Sequence, residues 1–299
     1  MAKIALALQG ALERRRTRGE PGRTTPQVLA SGDGWRVADV VCTSGPQDRP
    51  FEERHTRYSI AIVLAGSFQY RSHAGSALMT PGSLMLGSPG QCFECGHEHA
   101  EGDRCLSFWY DPECFERIVS DAGYRSHRRF VVPRIPPLRV LAPMVAAAAA
   151  NIMAPDDVPW NELGIELAAG AVGLARGVSS PYRAPLNAEA RVTRMVRSID
   201  RCPAASFTLD AMARNAGVSP YHFLRTFERL TGVTPHQYIL RARLRDAAMR
   251  LSTRGDRILD VALQCGFGDV SNFNRAFRSE FGLSPRAYRA RSGKAFRSR

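Results

Sequence analysis

Residues 223–238, Phe-Leu-Arg-Thr-Phe-Glu-Arg-Leu-Thr-Gly-Val-Thr-Pro-His-Gln-Tyr, return fifty positions later as Phe-Asn-Arg-Ala-Phe-Arg-Ser-Glu-Phe-Gly-Leu-Ser-Pro-Arg-Ala-Tyr at 273–288. Six of the sixteen positions are identical: Phe223/Phe273, Arg225/Arg275, Phe227/Phe277, Gly232/Gly282, Pro235/Pro285 and Tyr238/Tyr288. Composition alone gives about one such match. Upstream the likeness continues with a one-residue slip, Ala213-x3-Gly217 against Ala262-x3-Gly266. A helical unit built twice on one chain is suited to a partner that is itself periodic.

Working outward, helices are expected over about 188–201, 208–216, 219–230, 235–252, 257–265, 270–281 and 285–291. Thr208 with Asp210, and Ser219, have N-cap chemistry. Pro220, Pro235 and Pro285 fall in first helical turns, where a missing N–H costs least. Gly217, Gly232, Gly266 and Gly282 stand at helix ends. Ala213-Arg-Asn-Ala-Gly-Val-Ser219 followed by an amphipathic helix has the form of a helix-turn-helix, and Ala262-Leu-Gln-Cys-Gly-Phe-Gly-Asp269 has it again.

Phe223, Phe227, Phe273 and Phe277, spaced i,i+4, take the core side. That leaves Tyr221, His222, Leu224 and Arg225 on one helix, and Val270, Ser271, Asn272, Asn274 and Arg275 on the other, for outward faces. Arginine bonds guanine, asparagine bonds adenine, and apolar groups meet the thymine methyl. Each of these residues has the alternative of a plain solvent or phosphate contact. Arg225 and Arg275, being identical, have a further one, the same structural or phosphate contact made in both copies. A spacer helix over 235–252 spans roughly 27 Å at 1.5 Å per residue. With the flanking units added, the two reading helices come to about one turn of B-DNA apart, roughly 34 Å.

The charge agrees. The chain has 299 residues and a net charge of +13; residues 188–299 hold 21 Arg/Lys against 9 Asp/Glu, whereas 1–187 hold 20 against 19. A phosphate-binding surface confined to the C-terminal part explains that asymmetry, with Lys294–Arg299 as a solvated tail. No apolar run reaches the roughly 18 residues of a membrane helix. The N-terminus is too short in apolar residues for a signal peptide, so the expected location is cytoplasmic, with no membrane partner. Seven cysteines, an odd number without a secretion signal, argue for thiols rather than a disulfide framework.

Residues 1–30 are Arg-rich and broken by Gly and Pro, and read as a loosely ordered, flexible N-terminal arm. From 31 to 133 short apolar or alternating runs (35–41, 58–64, 67–71, 83–86, 105–110) are interrupted every eight to twelve residues, the signature of a small antiparallel barrel or sandwich. Between 134 and 180 the period is helical. The Ala/Gly-rich faces there suit either packing on the barrel or a dimer seam. Residues 179–185 read as a linker.

These motifs together resemble the AraC/XylS family of bacterial transcription regulators. The resemblance is carried by Ala213-x3-Gly217-x-Ser219, Thr231-Gly232-x2-Pro235-x2-Tyr238, Arg243-Leu244-x2-Ala247-x3-Leu251, Ile258-x3-Ala262-x3-Gly266-Phe267-x-Asp269 and Phe281-Gly282-x-Ser284-Pro285-x2-Tyr288. It covers about 100 residues, 190–291. It implies an α+β chain: a cupin-like antiparallel β-barrel with a helical dimerisation segment at 31–180, a linker at 181–187, and an all-α domain of two helix-turn-helix units at 188–299. It places base-contacting positions at Tyr221, Leu224 and Arg225 and at Ser271, Asn272, Asn274 and Arg275. Leu224 is apolar where a polar reader often stands. The implied partners are double-stranded DNA, a small-molecule effector, a second copy in a homodimer and, for an activator, RNA polymerase.

Pro81-Gly82-Ser-Leu-Met-Leu-Gly-Ser-Pro89-Gly90 is similar to the strand pair of the family's sensor domains, where a histidine follows. Here Cys92 stands near its place, and of the cupin His-x-His motif only His55 remains. The chain offers Cys92-x2-Cys95-x-His97-x-His99-x5-Cys105 instead. If the strand continues, Cys95, His97 and His99 share a face, and a turn at 100–103 makes His99 and Cys105 cross-strand neighbours. Thiolate and imidazole suit Zn²⁺ or a similar divalent ion. Metal or thiol sensing, an organic effector in the barrel, and plainly structural cysteines are three readings of this cluster. No other cofactor and no catalytic role are expected. The competing class is an enzyme with a DNA-binding appendage, such as a repair protein, which needs an activated cysteine. Arg104 beside Cys105 is its one hint.

Overall fold

The computed structural model describes residues 2–50, 52–124, 129–153, 158–178, 185–253 and 255–297. Its N-terminal part runs α1 (Ala2–Arg18), β1 (Thr24–Gly32), β2 (Trp35–Cys42), β3 (Glu52–Arg54), β4 (Tyr58–Gly66), β5 (Phe68–Ser72), β6 (Gly75–Met79), β7 (Leu84–Gly87), β8 (Cys92–Gly96), β9 (Asp103–Tyr110), α2 (Pro112–Asp121) and β10 (Arg134–Ile135), then α3 (Ala142–Met153) and α4 (Trp160–Ala175). The strands form two antiparallel sheets, β1-β2-β9-β4-β7-β10 and β3-β8-β5-β6.

Strand β4 shows how the sequence builds this. Successive side chains point to opposite faces, and Tyr58–Ala65 is buried throughout because both faces are covered. Ile60, Ile62 and Leu64 join Leu106 and Phe108 under α1, α3 and α4. Ala61 and Val63 face the second sheet with Phe68, Tyr70, Met79 and Cys105. Part of the Ala/Gly-rich helical faces anticipated at 134–180 packs within the chain, since Leu163, Leu167, Ala168, Ala171 and Val172 bury against the barrel. In α4 Ile165 is left half exposed.

The N-terminal arm is a correction. Residues 2–18 are helical, and Ile4, Leu8 and Leu12, one turn apart, are buried in the barrel core. Arg15 fastens the end of the helix, with Nη2 2.7 Å from the Asp48 carboxylate and Nη1 donating to the Thr43 carbonyl. Arginine content suggested disorder, but a 4,4-spaced apolar stripe outweighs it once a barrel face is there to receive it.

The C-terminal part comprises α5 (Leu186–Arg201), α6 (Leu209–Ala216), α7 (Pro220–Thr231), α8 (Pro235–Thr253), α9 (Ile258–Gln264), α10 (Val270–Phe281) and α11 (Pro285–Arg297). The linker expected at 181–187 lies largely outside the described residues, and Leu186 already opens α5. Thr208, Ser219 and Asp269 cap α6, α7 and α10, each side chain accepting from the N–H three residues on. Gly232 and Gly282 close the two copies in left-handed backbone, φ 80° and 73°, which a residue with a Cβ adopts only under strain.

Two cores result. One gathers Val196, Ile199, Met212, Phe223, Phe227 and Tyr238; the other gathers Leu244, Val261, Phe273, Phe277 and Phe281. Both reach into the N-terminal part: Leu78 of β6 completes the first, and Ala142 and Ala146 of α3 complete the second. Arg243 ties the two units together. Its Nε, Nη1 and Nη2 donate to the carbonyls of Pro203 (2.8 Å), Gly266 (2.9 Å) and Ala205 (3.0 Å).

Candidate nucleic-acid interface and control cavity

Helix α7 buries Phe223, Phe227 and Leu230, so positions 221, 222 and 225 face outward and 224 is half-buried. Tyr221 is 72% exposed, which for an aromatic ring forgoes about 2 kcal/mol of burial. Helix α10 repeats the pattern: Phe273 and Phe277 go in, while Ser271, Asn272, Asn274 and Arg275 are exposed and Val270 is half-buried. Arg275 donates to the Asn272 side-chain oxygen at 3.2 Å, so the two exposed side chains hold each other. All nine residues singled out from sequence thus lie near the capped N-terminal turns of the second helix of one or other helix-turn-helix unit, with Leu224 and Val270 half-buried. Orphan N–H groups and the helix dipole there favour phosphate.

The five-residue Cys/His cluster is only partly assembled. Strand β8 ends at Gly96, and a turn closed by Ala100 N–H to the His97 carbonyl (3.3 Å) breaks the extended face expected for Cys95, His97 and His99. Within β8, alternation points Phe93 and Cys95 inward, and Cys92, the register partner of Arg54, does not line the cavity. His99 lies instead beside Arg194, Arg197 and Arg201 of α5. It is not the cross-strand neighbour of Cys105, whose partners are Val40 and Val63.

What gathers is a different set. Cys42 of β2 pairs in register with Asp103 of β9, and Cys105 follows Asp103 on the same inward face. His97 donates from Nε2 to Asp103 Oδ2 at 2.8 Å, and the Cys105 thiol donates to Oδ1 at 3.3 Å. The His97 side chain is 1% exposed. Burial opposes its charge, but the Asp103 hydrogen bond and the nearby Cys42 outweigh that and hold its pKa up at about 10. Burial pushes the Cys95 and Cys105 thiols well above their ordinary range, so neither is an activated nucleophile. Arg104, the hint of one, is turned away: it forms a two-pronged pair with Asp39 at 2.9 and 2.6 Å.

Between the two sheets lies a cavity of about 310 Å³ that Cys42, Cys95, Asp103 and Cys105 share with Arg54, His55, Phe68, Phe93, Ser107 and Trp109. That volume is in the range of small-molecule sites. His55 is stacked on Phe93 at 4.0 Å. The Tyr70 hydroxyl donates to the Leu86 carbonyl (3.1 Å), so His55 Nε2 is the donor in its 2.8 Å contact with that hydroxyl. Burial lowers the His55 pKa to about 4 and keeps the ring neutral. Gly87 makes room for it, since a Cβ there would come within 2.3 Å of Nε2.

The fold and its outward faces define a DNA-binding transcription regulator of the helix-turn-helix type. A helix-turn-helix domain family model matches residues 212–291. The HTH-type transcriptional activator RhaS of Salmonella schwarzengrund (strain CVM19633) is 26% identical over 260 residues, covering 82% of this chain and 89% of that protein. The RhaS of Salmonella typhimurium (strain LT2) matches over the same shares at the same identity. Among solved structures, the DNA-binding domain of AdpA in complex with a target DNA is 30% identical over 36% of this chain and 97% of its own, with a TM-score of 0.34. ToxT of Vibrio cholerae O395 is 13% identical over 86% of this chain and 97% of its own, with a TM-score of 0.36. Over residues 212–291 the chain thus carries a helix-turn-helix domain, and over most of its length it is similar to the RhaS transcriptional activators.

Proposed function

We propose that this regulator reads a bipartite DNA site with unlike halves through Tyr221, His222, Leu224 and Arg225 on α7 and Ser271, Asn272, Asn274 and Arg275 on α10. A ligand in the barrel cavity sets how the two helices are held. The observation that carries this reading is the pair of matched, exposed faces with different chemistry, on helices whose buried phenylalanines are identical. Phosphate contacts from the Arg-rich domain supply affinity, and the differing side chains supply sequence. The shared arginines at 225 and 275 serve both halves alike.

Support for control comes from the joint between the parts. The Arg134 side chain is half-buried, and Nη1 donates to the carbonyls of Leu78 in β6 and Leu230 at the end of α7, both at 2.6 Å. Arg241 of α8 donates to the Pro137 carbonyl at 2.8 Å, and Arg139 reaches Ser279 of α10 at 3.0 Å. A ligand that favours one spacing of the two sheets therefore biases both reading units through β6 and the 134–139 segment, a population shift rather than chemistry. No helix among the described residues is long and apolar enough to cross a membrane. In this reading the protein works in the cytoplasm as a homodimer, with residues 31–180 as the sensing and pairing part and 188–299 as the DNA-binding part, and activates by contacting RNA polymerase.

Mapping bound genomic fragments tests the reading. A recurring site of two unlike segments about one helical turn apart is expected. Binding that follows charge alone, with no recurring sequence, overturns it.

A further inference from the structure

We propose that Cys42, His97 and Asp103, with Cys105 as the adjoining fourth donor, form a binding site for a divalent metal ion of the zinc type at one end of the barrel cavity. One donor atom from each of the first three residues lies within 4.8 Å of the other two, and all three are buried. Cys105 is joined to Asp103 by its 3.3 Å hydrogen bond, and Cys95 lines the same cavity. Around a tetrahedral zinc ion, with bonds of about 2.0–2.3 Å, donors stand roughly 3.4–3.8 Å apart. The donors already lie within 4.8 Å of one another, and His97 Nε2 stands 2.8 Å from Asp103 Oδ2, so an ion is admitted by side-chain rotation that parts this pair.

The backbone brings these residues together. Cys42 and Asp103 are register partners on neighbouring strands, and His97 arrives from the opposite sheet through the β8–β9 connection. Gly66 pairs with Asp103 where β4 meets β9, and a Cβ at Gly66 would sit 2.2 Å from the Gly102 carbonyl oxygen and 2.7 Å from Asp103 Cα. That close backbone crossing fixes where the carboxylate points.

The chemistry of the set favours a metal over the two alternatives open to buried cysteines. Thiols that serve only as packing do not need a carboxylate and an imidazole among them, because burying those groups costs several kcal/mol unless they are paired. Thiols that serve as nucleophiles need a neighbouring cation that lowers their pKa, whereas Asp103 is the group nearest to Cys105. His97 Nδ1 has no hydrogen-bond partner among the described residues. An ion with one or two thiolates and one carboxylate takes one imidazole nitrogen, and so either replaces the proton that Nε2 now donates to Asp103 or engages the unpartnered Nδ1. The mixed donor set selects zinc-type ions over calcium or magnesium, which take oxygen alone. Cys92 and His99, although they belong to the same sequence motif, are outside the site.

The inference rests on the reading of this cavity as the control site only for its consequence; its test reads metal without DNA, so either can fail alone. The full chain without a histidine tag, stripped with chelator, is dialysed against Zn²⁺ and its metal content measured; one ion per chain is expected. Co²⁺ in its place should give the intense absorption of tetrahedral thiolate coordination. Cys42→Ser and His97→Gln should each weaken binding by at least about 100-fold, and the double variant Cys92→Ser, His99→Gln should bind as the parent does. X-ray absorption on the zinc-loaded parent, which depends on no variant's folding, should show a mixed shell of sulfur and nitrogen or oxygen. No retained ion, an all-sulfur or sulfur-free shell, or loss of the ion in the Cys92/His99 variant overturns the proposal.

Discussion

Exchanging one reading face for the other isolates the residues that carry sequence preference. The phenylalanine alignment places Tyr221, His222 and Leu224 opposite Ser271, Asn272 and Asn274, with arginine already common to both. The triple variant Tyr221→Ser, His222→Asn, Leu224→Asn makes the face of α7 a copy of that of α10. Two of the three side chains are exposed and the third is half-buried, so each change should cost within about 0.5 kcal/mol of stability and the three together about 1.5 at most. On DNA the magnitudes are larger. Each lost base contact is worth about 1–3 kcal/mol, and every 1.4 kcal/mol is tenfold in affinity. Affinity for the parent site should fall by a factor of about 100 or more at fixed salt, while a site with its second half repeated should gain. Selection from a random DNA library, followed by titration at one ionic strength with a thermal melt alongside, measures all three quantities. An unchanged sequence preference in a natively melting variant would refute the assignment of these residues as readers. So would an equal loss on every sequence, which is the behaviour of phosphate contacts.

Three further outcomes follow from the packing and the charges. Phe277→Ala removes a fully buried ring that touches Phe273, Phe281 and Tyr288; about 3–5 kcal/mol should be lost in denaturant unfolding, and a loss below about 1 would contradict the described core. His55, whose pKa of about 4 lies below the ordinary 6.5, adds stability that is complete above pH 6.5 and is lost as pH falls towards 4, by up to about 3 kcal/mol; His55→Gln should flatten that part of the pH–stability curve, and an unchanged slope would show that the ring is not held neutral. Arg134→Met removes both carbonyl contacts between β6 and α7; separate unfolding transitions for the two parts and a weakened response of DNA affinity to barrel ligands are expected, whereas a single transition with full response would deny the joint its role.

The C-terminal helices were legible because their signals are local. Apolar period, capping Thr208 and Ser219, and Gly at 217, 232 and 282 set the ends of α6, α7 and α10 to within a residue or two. The strands were legible from alternation between breaks. The site in the barrel was not, because its members meet through register. Cys42 and Asp103 are sixty-one residues apart and become neighbours only when β2 pairs with β9. The local motif 92–105 looked like a ligand set because an uninterrupted strand was assumed. Ending β8 at Gly96 turns His99 to α5 while His97 meets Asp103. Helix α1 was missed for a related reason: its three apolar residues have meaning only against the barrel surface that buries them.

The two phenylalanine cores do not borrow from the barrel in the same place. The first takes Leu78 from a strand of the four-stranded sheet, and the second takes Ala142 and Ala146 from a helix backing the six-stranded sheet. The two units thus rest on different sheets and share the 134–139 segment, through Arg134 to the end of α7 and Arg139 to α10. In the proposed reading a change in the gap between the sheets shifts one unit against the other, and DNA measures span in steps of about 3.4 Å per base pair. On that reading the protein distinguishes operators by the distance between their halves as well as by their letters. Inserting or deleting one base pair between the halves is the DNA-side equivalent of filling or emptying the barrel.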